Sequence, residues 1–414
     1  MQLPEVGGLS SLSSESWRLL RDRLRAIGVD SSTLAPYVER AARADSPLRA
    51  PIVKWHLRRM REPSAYAMRM FLFWDAVTID EARAALGHGL PLERMLEIGL
   101  LRRTDEDTIV CPLALKIVSL AGADLYLFSD DLGKGHDAVM GPSPGTLVLA
   151  GFARPRVRTT RALDVGCGPG TLALGIASMC DRVVATDINP RAIALARVNA
   201  WINAIDNVEF RLGDLMAPVA GDSFDLIVSQ PPFVPWPAEL PATPFLFGGR
   251  RGDEVPLRLL AQVAAGLAPG GMAIMMVDWP IAAGDPPLLP RLRQTVGPSE
   301  DISFLMLFSG EARDIGDYCT GYAAMHDVDG DSDQERNAIR YREHLDRCKI
   351  RDIVHAFIFV RRGTEGQTAW TSGIPLRELR DTPPTRGAID VLFAEGDRVL
   401  RDGASDATRS PSAP

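Results

Sequence analysis

Apolar residues between about residues 161 and 362 recur in two alternating patterns. Short runs rich in Val, Ile, Leu and Phe, such as "RVVATDI" and "FDLIVS", are typical of buried strands. Longer segments with helical periodicity stand between them, such as "PRAIALARVNAWINA" and "PLRLLAQVAAGL". Strands separated by helices of this length predict an α/β domain with a doubly wound, mostly parallel sheet. A polar, acidic segment at about 310–350 is inserted before the last strand of this domain.

Residues 1–135 follow a different pattern, which is helical with many arginines on the polar faces. In the first helix, Trp17, Leu20, Leu24 and Ile27 fall on one apolar face. Two further helices and a short hairpin in "TDEDTIVCPLALKIVSL" predict a winged-helix-like domain. Because "PLERMLEIGLL" offers few basic residues to a phosphate backbone, we favour a substrate-recognition or dimerisation domain over one that reads nucleic acid.

Three other segments complete the predicted organisation. Residues 136–160 are turn-rich and form a linker that covers the cofactor side, and residues 363–414 form a C-terminal extension with a disordered end. The run "DVDGDSD" is similar in composition to a calcium loop. Its Gly330 is, however, fourth from Asp327 instead of sixth, which favours a solvated acidic loop.

Composition narrows the class of protein. A chain of 414 residues with 46% hydrophobic residues is typical of two packed domains, and a net charge of −7 argues against bulk attraction to nucleic acid or anionic membranes. We see no apolar run long enough to span a membrane and no secretory signal. The five cysteines form no C-x-x-C pair and no metal-ligand spacing, which predicts a cytoplasmic protein without a metal.

The loop "GCGPG" between a predicted strand and helix is the first candidate binding feature. Gly166, Gly168 and Gly170 let the backbone turn tightly and approach a ligand closely. A dinucleotide-binding fingerprint would need a glycine or alanine where Thr171 stands, and no G-K-[ST] follows for a P-loop. The loop therefore predicts a ligand of another class.

Acidic residues end the next two predicted strands. Asp187, in "ATDINP", follows the loop at a spacing suited to binding ribose hydroxyls. The next strand ends in "GDL", which places Asp214 and the backbone of Leu215 where an adenine edge could lie. Three successive strand ends thus offer sites for an amino acid, a ribose and a purine.

Together these motifs resemble the class I S-adenosylmethionine-dependent methyltransferases. "DVGCGPG" is similar to their first motif, "TDIN" to their ribose-binding motif and "GDL" to their adenine-binding motif. The resemblance implies a seven-stranded Rossmann-like sheet, S-adenosylmethionine as cofactor and S-adenosylhomocysteine as product. The cofactor-binding residues that it implies are Asp164, Gly166, Gly168, Gly170, Asp187, Ile188, Asp214 and Leu215.

The stretch "SQPPF" resembles the Asn/Asp/Ser-Pro-Pro-Tyr/Phe motif of the branch that contains release-factor glutamine and ribosomal-RNA guanine methyltransferases. By this resemblance, the side chain of Gln230 and the carbonyl of Pro231 accept two N–H bonds from the target nitrogen, while Phe233 packs on the planar substrate. Gln230 departs from the motif, because its amide is one methylene farther from the backbone. Other candidates for the substrate side are Pro232, Trp236 and His136.

Several functions stay open at this point. We favour N-methylation of a small molecule or peptide in specialised metabolism, since Gln230 and the insertion at 310–350 depart from the resemblance. The alternatives are N-methylation of ribosomal RNA or a translation factor, O-methylation, and an inactive cofactor-binding module. A homodimer and a nucleic-acid partner stay open, and we expect no membrane partner.

Overall fold

The computed structural model describes residues 3–34, 49–120, 122–130, 137–241, 243–297, 300–326, 334–365, 367, 369–378 and 385–401. Its strands are β1 (Val77–Thr78), β2 (Arg102–Arg103), β3 (Thr108–Val110), β4 (Ala114–Leu120), β5 (Ala123–Ser129), β6 (Thr159–Val165), β7 (Cys180–Asp187), β8 (Val208–Leu212), β9 (Phe224–Ser229), β10 (Val234–Pro235), β11 (Phe247–Gly249), β12 (Leu267–Ala282), β13 (Ile302–Phe308), β14 (Ile350–Arg362) and β15 (Thr371–Pro375). Its α-helices are α1 (Ser14–Ala26), α2 (Arg49–Leu57), α3 (Pro63–Ala67), α4 (Ile79–Leu86), α5 (Leu92–Glu97), α6 (Pro144–Ala153), α7 (Thr171–Ile176), α8 (Pro190–Ile202), α9 (Glu254–Gly266), α10 (Leu288–Val296), α11 (Ile315–Ala323), α12 (Gln334–Arg347) and α13 (Arg386–Arg401).

A central sheet has the strand order β15-β13-β14-β12-β9-β6-β7-β8. Strands β12, β9, β6, β7 and β8 are parallel, and β14 runs antiparallel to both β12 and β13. This confirms the predicted doubly wound α/β fold. The expectation of seven strands was one too few, because β15 adds a parallel edge strand beside β13. Its sequence "TSGIP" contains a glycine and a proline, which are depleted in strands, so the pattern gave no signal.

Helices cover both faces of this sheet and bury its apolar side chains. On one face, α6, α7, α8 and α13 pack over a cluster in which Phe152 contacts Phe357 and Phe359 edge to face. On the other face, α9 and α10 pack through Leu259 and Leu292. Burial on both sides explains why the strands read as continuous apolar runs.

The N-terminal part contains α4, α5 and a small antiparallel sheet of order β1-β3-β2. The predicted hairpin is present, but it is shorter than expected, since β2 pairs with β3 and the following "ALKIVSL" forms β4. Strand β4 pairs with β5 in a second hairpin, which also lies within residues 1–135. The winged-helix interpretation stays a prediction.

Helix α8 lies between the two parts of the chain. Ile193 and Ala196 face the central sheet, while Leu195 and Val198 belong to the N-terminal apolar cluster. Its Asn199 pairs with the edge of β5, because the side-chain amide accepts from the N–H of Phe128 and donates to the carbonyl of the same residue. The two parts therefore share one helix as a common packing surface.

The inserted segment supplies α11 and α12 between β13 and β14. Their apolar side chains, including Tyr318 and Tyr341, pack with Val234 of β10 and Phe247 of β11, the two short strands after β9. The insertion therefore supports the "SQPPF" end of the sheet. Residues 327–333, with the acidic run, and residues 402–414, with the expected disordered end, lie outside the described residues, as does His136. Among the helices that are described, none has the length and apolar character to cross a membrane.

Candidate active site

The register of the central sheet brings four strand ends to one edge. Val165 at the end of β6 pairs with Ser229 at the end of β9, and Asp187 at the end of β7 pairs with Leu212 at the end of β8. The loops "GCGPG" and "SQPPF" follow two of these neighbouring strands. The structure thus places both predicted motifs at the carboxyl edge, where ligands bind in open α/β sheets.

The glycine loop has the backbone conformation that its sequence predicts. Gly166, Gly168 and Gly170 have φ angles of 73°, 52° and 87°, which L side chains rarely adopt. A Cβ at Gly166 or Gly168 would meet nothing within 4 Å, so the loop is open on that side. Asn199 holds the loop from behind by donating to the carbonyl of Pro169 at 2.8 Å.

Asp187 holds the ends of two loops together. Its Oδ2 accepts from the N–H of Gly168 and its Oδ1 from the N–H of Asn189, both at 2.8 Å. Burial raises the pKa of this carboxyl, and the backbone N–H groups oppose that effect. The next residue, Ile188, is 62% exposed although it is large and apolar, so it offers an uncovered apolar surface beside the carboxylate.

Asp164 is buried beneath the loop, where its Oδ2 accepts from the N–H of Ala173 at 2.9 Å. Its Oδ1 has no hydrogen-bond partner among the described residues. Burial raises the pKa of this carboxyl to about 7, and the nearby Asp187 adds to the increase. The bond to α7 indicates that Asp164 supports the loop from within the core.

The third acidic position is more exposed than the other two. The carboxylate of Asp214 is in an ion pair with Arg258 at 2.5 Å. Leu215 has a φ angle of 47°, and its carbonyl accepts from the hydroxyl of Thr186 at 3.0 Å. The "GDL" turn is therefore fixed to the end of β7, next to Asp187.

Gln230 is held by a residue that the sequence analysis missed. The hydroxyl of Thr146 donates to Oε1 of Gln230 at 2.7 Å, and it accepts from the N–H of Ser143 in the capping box that begins α6. The extra methylene of glutamine thus spans the distance to α6. The segment "SPGT", with a serine and a threonine three residues apart ahead of an apolar run, could have indicated this helix start.

The backbone of Pro232 and Phe233 packs closely against the loop "FGGRRG". A Cβ at Gly248 would lie 2.6 Å from the carbonyl oxygen of Pro232, and one at Gly252 would lie 2.4 Å from that of Phe233. Trp236 instead packs under a loop, where its indole N–H donates to the carbonyl of Leu240. Pro231 is buried and Phe233 is half-buried.

The insertion and an ion network fix the "FGGRRG" loop. His344 of α12 donates from Nε2 to the carbonyl of Arg250 at 2.6 Å. Arg251 binds Asp285 through two hydrogen bonds, and Arg291 lies 3.0 Å from Asp285 and 3.2 Å from Asp253. These contacts fix the position of the "FGGRRG" loop next to Phe233.

Two other features do not belong to this edge. A cavity of about 1260 Å³ lies between α6 and α13, at the end of α6 where Arg154 stands. None of the residues predicted for the site lines it. In the described part of the chain, no three His, Cys, Asp or Glu side chains are grouped so that they could hold a metal ion.

Comparison with known proteins agrees with this arrangement. Residues 142–279 match the family described as "Methyltransferase small domain". The chain contains a methyltransferase small domain. This confirms the resemblance that its motifs indicated, and the matched residues extend from the start of α6 to Trp279 in β12.

Two relatives carry the same name. The chain is 41% identical over 133 residues to a release factor glutamine methyltransferase of Deinococcus radiodurans, which covers 30% of this chain and 47% of that protein. It is 37% identical over 143 residues to the Koribacter versatilis protein of that name, over 31% of this chain and 50% of the relative. The chain thus spans about half the length of the relatives that it matches.

A solved structure of a T. thermophilus 16S rRNA N2 G1207 methyltransferase, in complex with AdoMet and guanosine, is also similar. It shares 19% identity with a TM-score of 0.32, over 49% of this chain and 54% of that chain.

Proposed function

We propose that this chain is an S-adenosylmethionine-dependent methyltransferase whose acceptor is a nitrogen in a macromolecule of translation. The first candidate acceptor is the side-chain amide of a glutamine in a release factor. The observation that carries this proposal is the identity of up to 41% over 133 residues to release factor glutamine methyltransferases. These relatives favour the translation-factor alternative over a small-molecule acceptor in specialised metabolism.

The residues at the carboxyl edge fit the cofactor. The open side of Gly166 and Gly168 has room for the amino-acid part, and the carboxylate of Asp187 keeps lone pairs for ribose hydroxyls. The exposed face of Ile188 suits the apolar face of an adenine, and the turn at Asp214 borders it. When bound, the cofactor supplies a methyl group on a sulfonium.

The acceptor side uses the "SQPPF" turn. Oε1 of Gln230 is oriented by Thr146, and the carbonyl of Pro231 lies in the next residue. Phe233 provides an apolar face for a planar amide, with the loop at Gly248 and Gly252 packed behind it. Most of the rate enhancement then comes from positioning, because the methyl transfer itself needs no covalent enzyme intermediate.

Calorimetric titration with S-adenosylmethionine and S-adenosylhomocysteine tests the cofactor site. We expect micromolar binding by the wild type, a loss of at least about tenfold in Asp187→Ala, and no loss in the matched control Asp181→Ala. Asp181 stands at the opposite end of the same strand and pairs with Arg158 at the surface. Gln230→Ala should keep cofactor affinity and lose transfer of labelled methyl to purified release factor. Equal cofactor loss in both site variants would contradict this division of roles.

A ribosomal-RNA acceptor is the second candidate, and one surface of the structure favours it. On α2, Trp55 is 51% exposed, and the guanidinium of Arg59, two residues past the helix, lies 4.5 Å from its ring. Exposed aromatic and basic side chains together are suited to stacking with unpaired bases. Retention on heparin that falls steeply with salt, together with methyl transfer to ribosomal RNA, would favour this acceptor over a release factor.

A further inference from the structure

An Asp–His pair, in which the aspartate is buried and the histidine is partly exposed, stands beside the candidate acceptor site. Asp278 of β12 and His355 of β14 are directly opposite each other in the antiparallel register. Asp278 is only 1% exposed, and Nδ1–H of His355 donates to its Oδ1 at 2.7 Å. This bond fixes the tautomer of the imidazole, so Nε2 carries the lone pair. Within the described residues, Nε2 makes no hydrogen bond.

The groups around this pair include polar atoms without partners. Arg313 lies 3.2 Å from Oδ2 of Asp278 in an ion pair. The hydroxyl of Tyr318 and Oγ of Ser309 are buried and make no hydrogen bond with any described residue. Burial raises the pKa of Tyr318 and also that of Tyr322, so both phenols stay neutral. Because unpaired buried polar atoms are uncommon, this group is suited to receive a polar part of a ligand.

The sheet register places the pair close to Gln230. Ser229 pairs with Met275, so Gln230 is level with Met276, whose side chain packs next to Gly145 at the start of α6. The side chain of Gln230 contacts Thr146 of the same helix, so the side chains of Gln230 and Met276 lie on the same face of the sheet. Asp278 is two residues farther along that face, and His355 lies on the next strand. Two strand spacings and two residues correspond to about 12 Å between the Cα atoms of Gln230 and His355, a distance that a bound acceptor can bridge.

Because Oε1 of Gln230 already accepts a hydrogen bond from Thr146, another group has to take the proton that the target nitrogen loses. One lone pair of Oε1 already accepts from Thr146, which leaves one for an acceptor N–H. An amide nitrogen carries a delocalised lone pair and must lose a proton when it gains a methyl group. Positioning by Gln230 and the Pro231 carbonyl alone leaves that proton without a destination.

We propose that Nε2 of His355 is the base that takes this proton and that Asp278 is its positioning residue. The inference rests on the proposed function and defines its substrate class: an acceptor whose attacking nitrogen carries a proton that must leave. In the step, the acceptor atom forms a bond to the methyl carbon while the carbon–sulfur bond breaks. The electron pair of that bond stays on sulfur, which gives the thioether product, and the acceptor's proton moves to Nε2. The imidazolium faces the carboxylate of Asp278 and then releases its proton to solvent.

Nuclear magnetic resonance of the histidine side chains tests the pair without any acceptor. In the wild type, we expect the histidine resonance that His355→Gln removes to be that of an imidazole with hydrogen on Nδ1. Asp278→Asn should abolish that tautomer preference. A resonance of His355 with hydrogen on Nε2 would overturn the proposal, since Nε2 would then have no lone pair to take a proton.

Methyl transfer to purified release factor gives the second measurement. His355→Gln should lower kcat by about a hundredfold or more, keep affinity for S-adenosylmethionine, and remove the fall in kcat/KM at low pH. His88→Gln, an exposed histidine in the N-terminal part, is the control and should match the wild type.

Unchanged kcat in His355→Gln, or a rise in KM with the pH profile intact, would assign the pair to holding β12 and β14 together and overturn the proposal. If the wild type itself transfers no methyl to release factor, that acceptor fails, and the tautomer of His355 decides this inference on its own.

Discussion

Gln230 differs from the usual residue of its motif by one methylene, and Thr146 accounts for that difference. The hydroxyl donates to Oε1 at 2.7 Å, so the longer side chain is held by α6. In Thr146→Val, a substitution of nearly equal volume, we expect turnover to fall tenfold to about a hundredfold, because a shift of about 1 Å in a positioning group has effects of this size. Affinity for S-adenosylmethionine should stay the same. Single-turnover methyl transfer and calorimetry measure the two quantities.

Thr146→Ser is the matched control, because it keeps the hydroxyl that contacts both Gln230 and Ser143. The valine variant also loses part of the capping box, at a cost of about 1 kcal/mol in the free energy of unfolding, so thermal unfolding should accompany the assay. Equal turnover in the serine and valine variants would show that the hydrogen bond to Gln230 has no role in positioning.

Asp164 makes stability depend on pH in an unusual direction for a carboxyl group. Burial raises its pKa to about 7 in the folded protein, above the value near 4 of an unfolded chain. The folded state therefore binds the proton more tightly, so this contribution to stability is complete below about pH 4 and is lost as pH rises towards 7. Three pKa units correspond to about 4 kcal/mol as an upper limit.

Comparison of Asp164→Asn with the wild type isolates this effect. The variant cannot ionise, so its unfolding free energy relative to the wild type should increase as pH rises from 4 to 8. Denaturant titrations at several pH values measure that difference. A constant difference over this range would mean that Asp164 keeps its ordinary pKa in the folded protein.

At the scale of elements, the strand ends were predictable and the contacts between distant segments were not. The alternation of strands and helices predicts that Gly168, Asp187 and Gln230 share one edge, since the carboxyl ends of parallel strands meet there. Thr146 and His355 join the same neighbourhood from segments about 84 residues before and 125 residues after Gln230, by the numbering of the chain. Only the packing of α6 and the antiparallel register of β14 reveal them. The local sequence pattern around each residue predicts neither position.

The insertion should affect the acceptor more than the cofactor. Helix α12 holds the loop beside Phe233 through the bond from His344 to the carbonyl of Arg250. In His344→Ala we expect a KM for release factor at least severalfold higher, with unchanged affinity for S-adenosylmethionine, because the loop loses a buried anchor. Arg342→Ala, which removes an exposed pair with Asp346 on the same helix, is the control. Cofactor affinity that falls with His344→Ala would indicate that the insertion supports the whole edge.

For the whole molecule, Asn199 connects the hairpin of β4 and β5 to the glycine loop "GCGPG". It is fully buried and makes two hydrogen bonds with Phe128 of β5 and one with Pro169 of "GCGPG". Asn199→Ala leaves three backbone groups without their partner, at a cost of about 1–3 kcal/mol for each one that water cannot reach. We expect a lower unfolding temperature, and we expect weaker cofactor binding because the loop loses its support from behind.

Asn207→Ala is the control variant that distinguishes loss of this connection from a general loss of stability. Asn207 also donates twice to backbone carbonyls, those of Ala177 and Cys180, and both of these lie in the methyltransferase domain. Both variants should be less stable, while Asn199→Ala alone should weaken binding of S-adenosylmethionine, measured by calorimetry well below the unfolding temperature. Because α8 packs against both parts of the chain, tryptophan fluorescence and the far-ultraviolet signal should report one transition in the wild type. Two separate transitions in Asn199→Ala would show that this side chain couples the N-terminal part to the cofactor loop, whereas equal cofactor affinity in both variants would contradict that coupling.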